Sequence, residues 1–193
     1  MTSLLAATLA VALGAAAAPP RKPLDPCSLL DPKAIAAAQG AAPKATKASE
    51  QPAGALVAQQ CFFTLPDFAR SVSLEVQRAP DAAGRKALQE RWELISGEER
   101  EREEREEKEQ PKRDSKGKPG KADDDEGRTP PKVIKGVGRG AVWTGSAKAG
   151  ALYVLGPGAI VRVSVGGAAD EAGKIKACSA LAKDALKHLA AAR

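Results

Sequence analysis

Histidine is almost missing from this chain: His188 is the only one in 193 residues, beside a single methionine, three cysteines and six aromatic side chains. That scarcity removes whole classes of chemistry. Zinc sites need paired Cys or His ligands at short spacing, and no Cys-x-x-Cys or His-x-x-x-His pattern occurs. The acidic run KADDDEGR at 121–128 lacks the alternating ligands and the glycine position of a calcium loop, so no metal site is expected. GVGRG at 136–140 is not followed by Lys-Ser/Thr and opens no helix, so its glycines are read as turns or bulges rather than a phosphate loop. No cofactor is implied. The net charge of +6 would attract anions. Lys and Arg are scattered, however, and aromatics for base stacking are few, so nucleic acid is not an expected partner.

Long apolar runs are also scarce. The first 18 residues, MTSLLAATLAVALGAAAA, form the exception. They fall short of the roughly 20 apolar residues of a spanning helix and carry small residues ahead of Pro19 and Pro20, so they read as a signal peptide cut after Ala17 or Ala18. Only Thr2 and Ser3 are polar before the run, so the amino terminus alone supplies its positive charge. Cys27 lies in DPCSLL rather than behind a small-residue lipobox, and no lipid anchor is expected. The chain is therefore expected to be exported, periplasmic or secreted, where cysteines more often serve as staples than as nucleophiles.

A third absence lies inside the chain. Residues 98–131 contain no Leu, Ile, Val, Phe, Trp, Tyr or Met, and a segment with nothing to bury does not offset its ordering entropy by packing. It is read as a charged insertion, helical to about Glu109 through Glu–Arg and Glu–Lys pairs four residues apart and disordered beyond Pro111. Residues 98–128 carry 13 acidic and 10 basic side chains, a net of −3, which leaves +9 on the remainder. The reading is thus a signal peptide at 1–18 and one domain at 19–193, interrupted at 98–131.

What remains has ordinary folding signals. Asp31 followed by Pro32 marks a helix start, and Gly40 its end; residues 41–54 read as a loop. Leu56–Leu65 and Ser71–Arg78 are strand-like, with Pro66-Asp67 turning between them. Asp81 caps a helix in which Leu88, Trp92 and Ile95 share a face that ends at Gly97. Strand candidates follow at Val133–Trp143, Ala151–Leu155 and Ala159–Val165; the last alternates Ile160, Arg162 and Ser164 against Val161, Val163 and Val165. Asp170 then caps a long helix whose apolar face carries Ile175, Cys178, Ala182, Ala185 and Leu189, widened by Leu181 and Leu186. Strands in runs separated by helices predict the α+β class, with an antiparallel sheet of about five strands packed by helices.

DPCSLLDPKAIAAAQG, CFFTL, GVGRGAVWTG, ALYVLGPGAIVRVSV and LAKDALKHL together resemble a family of small bacterial exported proteins and lipoproteins of unknown function with a PsbP-like α/β sandwich fold. The likeness rests on Cys27 before a short helix, Cys61 beside Phe62 in the first strand, and Gly138, Ala141 and Trp143 before a hairpin. It implies fold and export, and brings no catalytic residues. The chain departs from the family pattern in Cys178 and in the insertion.

Cys178 and His188 are the obvious nucleophilic pair, but ten residues along one helix rise about 15 Å, beyond hydrogen-bond reach. Cys178 is expected as a buried thiol on an apolar face, and His188 as a solvent-facing residue near a helix C-terminus. Three disulfide pairings are open to three cysteines. The helical burial of Cys178 and the irregular lead-in around Cys27 favour Cys27–Cys61, and the family resemblance points the same way. The expected function is a non-enzymatic binding or structural module that meets an envelope protein or an anionic surface component. The alternative is an envelope enzyme with unmarked acid/base groups in a fold-formed cleft, which a pocket gathering at least two ionisable groups would favour.

Amino-terminal sequencing of the mature protein should begin next to Pro19; intact Met1 in the cytoplasm would overturn export. Replacing residues 98–131 by a short Gly/Ser linker should move the melting temperature little, because loop closure depends weakly on length. A large loss of cooperativity would contradict that.

Overall fold

Short-range signals set most of the element boundaries in the computed structural model, which describes residues 24–97, 130–146, 148–167 and 169–192. A 3-10 turn, Pro26–Leu29 (η1), leads into α1, Pro32–Gln39. Asp31 accepts from the Lys33 N–H at the start of α1, Pro32 takes the first helical position and Gly40 closes the helix in the left-handed region. Asp81 caps α2, Ala82–Ser96, by accepting from Gly84, and Gly97 terminates it. Asp170 caps α3, Glu171–Ala191, by accepting from Gly173. The expected helical extension beyond Gly97, the rest of the insertion to residue 129 and the leader lie outside the described residues.

The sheet has seven strands: β1 Ala45–Ala53, β2 Leu56–Thr64, β3 Val72–Arg78, β4 Lys132–Val133, β5 Gly140–Gly145, β6 Gly150–Gly156 and β7 Ala159–Val165. All neighbours are antiparallel, in the order β1-β2-β3-β7-β6-β5-β4. The α+β class holds, but about five strands was too few. β1 falls in the segment read as a loop because all nine of its residues are exposed, so it carries no apolar alternation to recognise. β4 has only two residues, and the segment taken as one strand from Val133 breaks into β4, a turn and β5. In that turn Gly138 has φ +59°, and a Cβ there would lie 2.4 Å from Val154 Cγ1, so the glycine serves both the turn and a close approach to β6.

One face of the sheet is sealed. Phe63, Leu74, Val76, Trp143, Leu152 and Val163 point into a core shared with Leu29, Ile35 and the α3 residues Cys178, Leu181, Ala182 and Ala185. The lead-in is tied to this core by a disulfide and by hydrogen bonds, among them one from the Gln59 amide to the Leu24 carbonyl at 3.0 Å. Cys27 and Cys61 form a disulfide with Cα atoms 5.1 Å apart. The Asp31 N–H donates to Asp184 Oδ2 at 2.9 Å, and the His188 Nδ1–H donates to the Leu29 carbonyl at 3.1 Å. His188 is therefore half-buried against η1 rather than solvent-facing, because η1 folds back onto the last turns of α3.

Among the described residues, the opposite face is covered only in part. Leu88 and Trp92 of α2 pack on Leu56, Val142 and Ile160, with Tyr153 and Leu155 at the margin.

The disulfide closes a loop with a sequence separation of 34, so reduction should cost about 3–4 kcal/mol by freeing the unfolded chain. Chemical denaturation with and without reductant measures this. An unchanged midpoint would show that packing and hydrogen bonds hold the lead-in without the disulfide.

Candidate functional site

Strand register decides what the uncovered half of that second face displays. Gln60, Glu75, Arg162, Tyr153 and Val142 are successive cross-strand partners, so they stand in one row on the α2 side. Phe62, Ser73 and Ser164 form the next row, farther from α2. The β2–β3 connection then folds over the end of this row. Asp67 accepts from the Ala69 N–H to start a second 3-10 turn, η2, Phe68–Arg70. Its backbone sits hard against the end of β7, where a Cβ on Gly166 would lie 2.0 Å from the Ala69 carbonyl oxygen. The Gly166 N–H also donates to the Ser71 carbonyl at 3.0 Å. This seating places the Phe68 ring 5.9 Å from that of Phe62, tilted by 47°.

The result is a groove of about 530 Å³ bounded by Phe62 and Phe68 at one side, by Tyr153 and Arg162 on the sheet floor, and by Lys148 of the β5–β6 turn. Phe68 is 69% exposed and Phe62 36%, unusual for rings that a monomer could bury. Arg162 donates Nε–H to the Tyr153 oxygen at 3.1 Å, and its guanidinium carbon lies 5.8 Å from the ring centroid, within range for a cation–π contact. Tyr153 thereby keeps its own O–H as a donor. Glu75 is paired with Arg162 across the strands, yet its carboxylate turns elsewhere, accepting from Gln60 at 3.0 Å and Gln77 at 2.6 Å. Among the described residues, the only charged side chains lining the groove are Lys148 and Arg162.

Two other concavities differ in charge, one mixed and one acidic. One, of about 690 Å³ beside Gln39 and Gly167, places Arg70 with Asp67; another, of about 340 Å³, places Asp25 and Glu50 near Leu24. Among the described residues no three His, Cys, Asp or Glu side chains come together as a metal site, and no helix is long and apolar enough to cross a membrane.

The cysteines and histidine singled out in the sequence are elsewhere. Cys27 and Cys61 are joined in the staple, on the sealed side. Cys178 and His188 occupy the single continuous helix α3, so the fold does not assemble them into a dyad. Burial pushes the Cys178 thiol from its ordinary 9.0 up to about 12, against weaker opposing effects of backbone hydrogen bonds at Val165 and Leu152. The groove itself was not anticipated. Its only sequence signal was a basic residue, Arg162, on the polar side of an alternating strand, together with a phenylalanine directly after a Pro-Asp turn. No family model, curated protein or solved structure matches the chain.

Because the folded protein holds the Cys178 proton more tightly than the unfolded chain, the stability it contributes is complete below about pH 9 and is lost as pH rises towards 12. Denaturation midpoints measured from pH 8 to 10.5 should fall more steeply for the native chain than for Cys178→Ala. Parallel slopes would contradict the assigned burial.

Proposed function

We propose that this is an exported, non-enzymatic binding module whose recognition surface is the half of the second sheet face that α2 leaves open. The observation that carries the reading is the pair of exposed rings, Phe62 and Phe68, beside Arg162 and Lys148 in one groove. Apolar surface bordered by oriented polar groups is what a ligand site requires. The proposal includes the PsbP-like sandwich, supported by the sequence segments that resemble that family and by an antiparallel sheet with helices on both faces. Of the two expected partner types, the groove's cations favour an anionic envelope component.

The envelope-enzyme alternative draws support from the gathering of three ionisable side chains, Lys148, Tyr153 and Arg162, in one concavity. Among the described residues the lining carries two cations and a phenol without carboxylate or imidazole, which suits anion holding better than paired acid/base transfer. The export signal and the Cys27–Cys61 staple fit a protein that meets its ligand outside the reducing cytoplasm.

Isotope-labelled protein titrated with a set of anionic, neutral and cationic fragments tests this reading by amide chemical shifts. Shifts should concentrate on Phe62, Phe68, Ser73, Tyr153, Arg162 and Ser164. Fragments that leave these amides unmoved and shift only residues around Gln39 and Arg70 would place recognition in the other cavity and overturn the proposal.

A further inference from the structure

We infer that the groove takes a small amphiphilic anion, a carboxylate or phosphate held by Arg162, Tyr153 and Lys148 with its apolar body against Phe62 and Phe68. This rests on the groove being the binding surface and adds the chemical class of the ligand.

Charge is the first argument. Among the described residues the lining offers two cations and no acid, and the Glu75 carboxylate, across the strands from Arg162, accepts from the amides of Gln60 and Gln77. Only the Nε–H of Arg162 is engaged among the described residues, through Tyr153. The two terminal nitrogens of the guanidinium therefore remain as a fork suited to two oxygens of one anionic group. That single bond also fixes the guanidinium, so less rotamer entropy is lost on binding than for an unanchored arginine. The Tyr153 O–H adds a neutral donor to the same oxygens, and the Ser73 and Ser164 hydroxyls stand one row away on the side of the rings.

Shape is the second. A bare anion would use the floor and leave the rings in water, where Phe68 now stands 69% exposed. Covering a ring face removes apolar area from water at about 25 cal/mol per Å², so affinity rises when the anionic group carries an apolar body. A volume of about 530 Å³ sets the size to a small molecule or the terminal part of a larger one. The η2 turn, locked onto Gly166, holds the Phe68 backbone in place before any ligand arrives.

The test uses the full chain, the same amide shifts and five probes. These are 3-phenylpropanoate, phenyl phosphate, the neutral 3-phenylpropanamide, acetate and inorganic phosphate. At least one of the two amphiphilic anions should bind in the groove about tenfold more tightly than the amide and than both bare anions. Whichever of the two binds more tightly identifies the head group as carboxylate or phosphate. Arg162→Gln should weaken that anion about tenfold and leave the amide unchanged, whereas Phe68→Ala should weaken both. Lys148→Ala, at an exposed bend, should weaken the anion alone by about threefold and serves if Arg162→Gln fails to fold. An amide that binds in the groove within about threefold of its carboxylate would overturn the ligand class and leave the binding surface intact. Groove amides that ignore all five probes but respond to other fragments would have the same meaning. Silence from every probe and every fragment would overturn both.

Discussion

Every layer of the molecule depends on the antiparallel pairing of β3 with β7 at the centre of the sheet. Val72, Leu74 and Val76 face Val165, Val163 and Val161 on the sealed side, and all are buried. The intervening residues, Ser73, Glu75 and Gln77 against Ser164, Arg162 and Ile160, go to the other side. A slip by one residue would send arginine and glutamate into the core and the valines into water, so burial of one face fixes the register. The polar face is then graded along its length. Its Ile160 end is apolar enough to hold α2 through Leu88 and Trp92, and its Ser164 end is not. The groove is the part of the sheet where helix packing has no apolar partner.

This grading explains what the sequence made legible. The caps at Asp31, Asp81 and Asp170, the stop at Gly40 and the alternation in β3 and β7 are each set within a few residues and appear in the structure as read, whereas Gly97, read only as the end of an apolar face, terminates α2 itself. β1 escaped because an edge strand exposed on both sides needs no apolar pattern, only backbone bonds to β2. His188 was misplaced because its partner, the Leu29 carbonyl, is 159 residues away in sequence. The groove was illegible for the same reason: Phe62, Phe68, Lys148, Tyr153 and Arg162 lie on different strands or turns, and only register and the fold of η2 bring them together.

The cysteines divide between two environments of one core. Cys61 stands on the sealed side of β2, where the irregular lead-in passes close enough for Cys27 to reach it, and the bond restrains a segment that has little secondary structure of its own. Cys178 sits on the α3 face against the sheet, fully buried, and behaves there as a small hydrophobic side chain with a thiol that resists ionisation. The staple lies on the sealed side and Arg162 on the opposite face, so the two are separate devices: one holds the lead-in to the core, and the other leaves a surface free.

Hydroxyl-radical footprinting of the isolated full-length protein distinguishes a sheet with one sealed face and one half-open face from a sheet covered on both. Phe62 and Phe68 should oxidise readily, with Phe63, Trp92 and Trp143 protected, as their burial requires. Protection of Phe62 and Phe68 to the level of Phe63 would mean that another part of the chain or a second copy already fills the groove, and the account would fail.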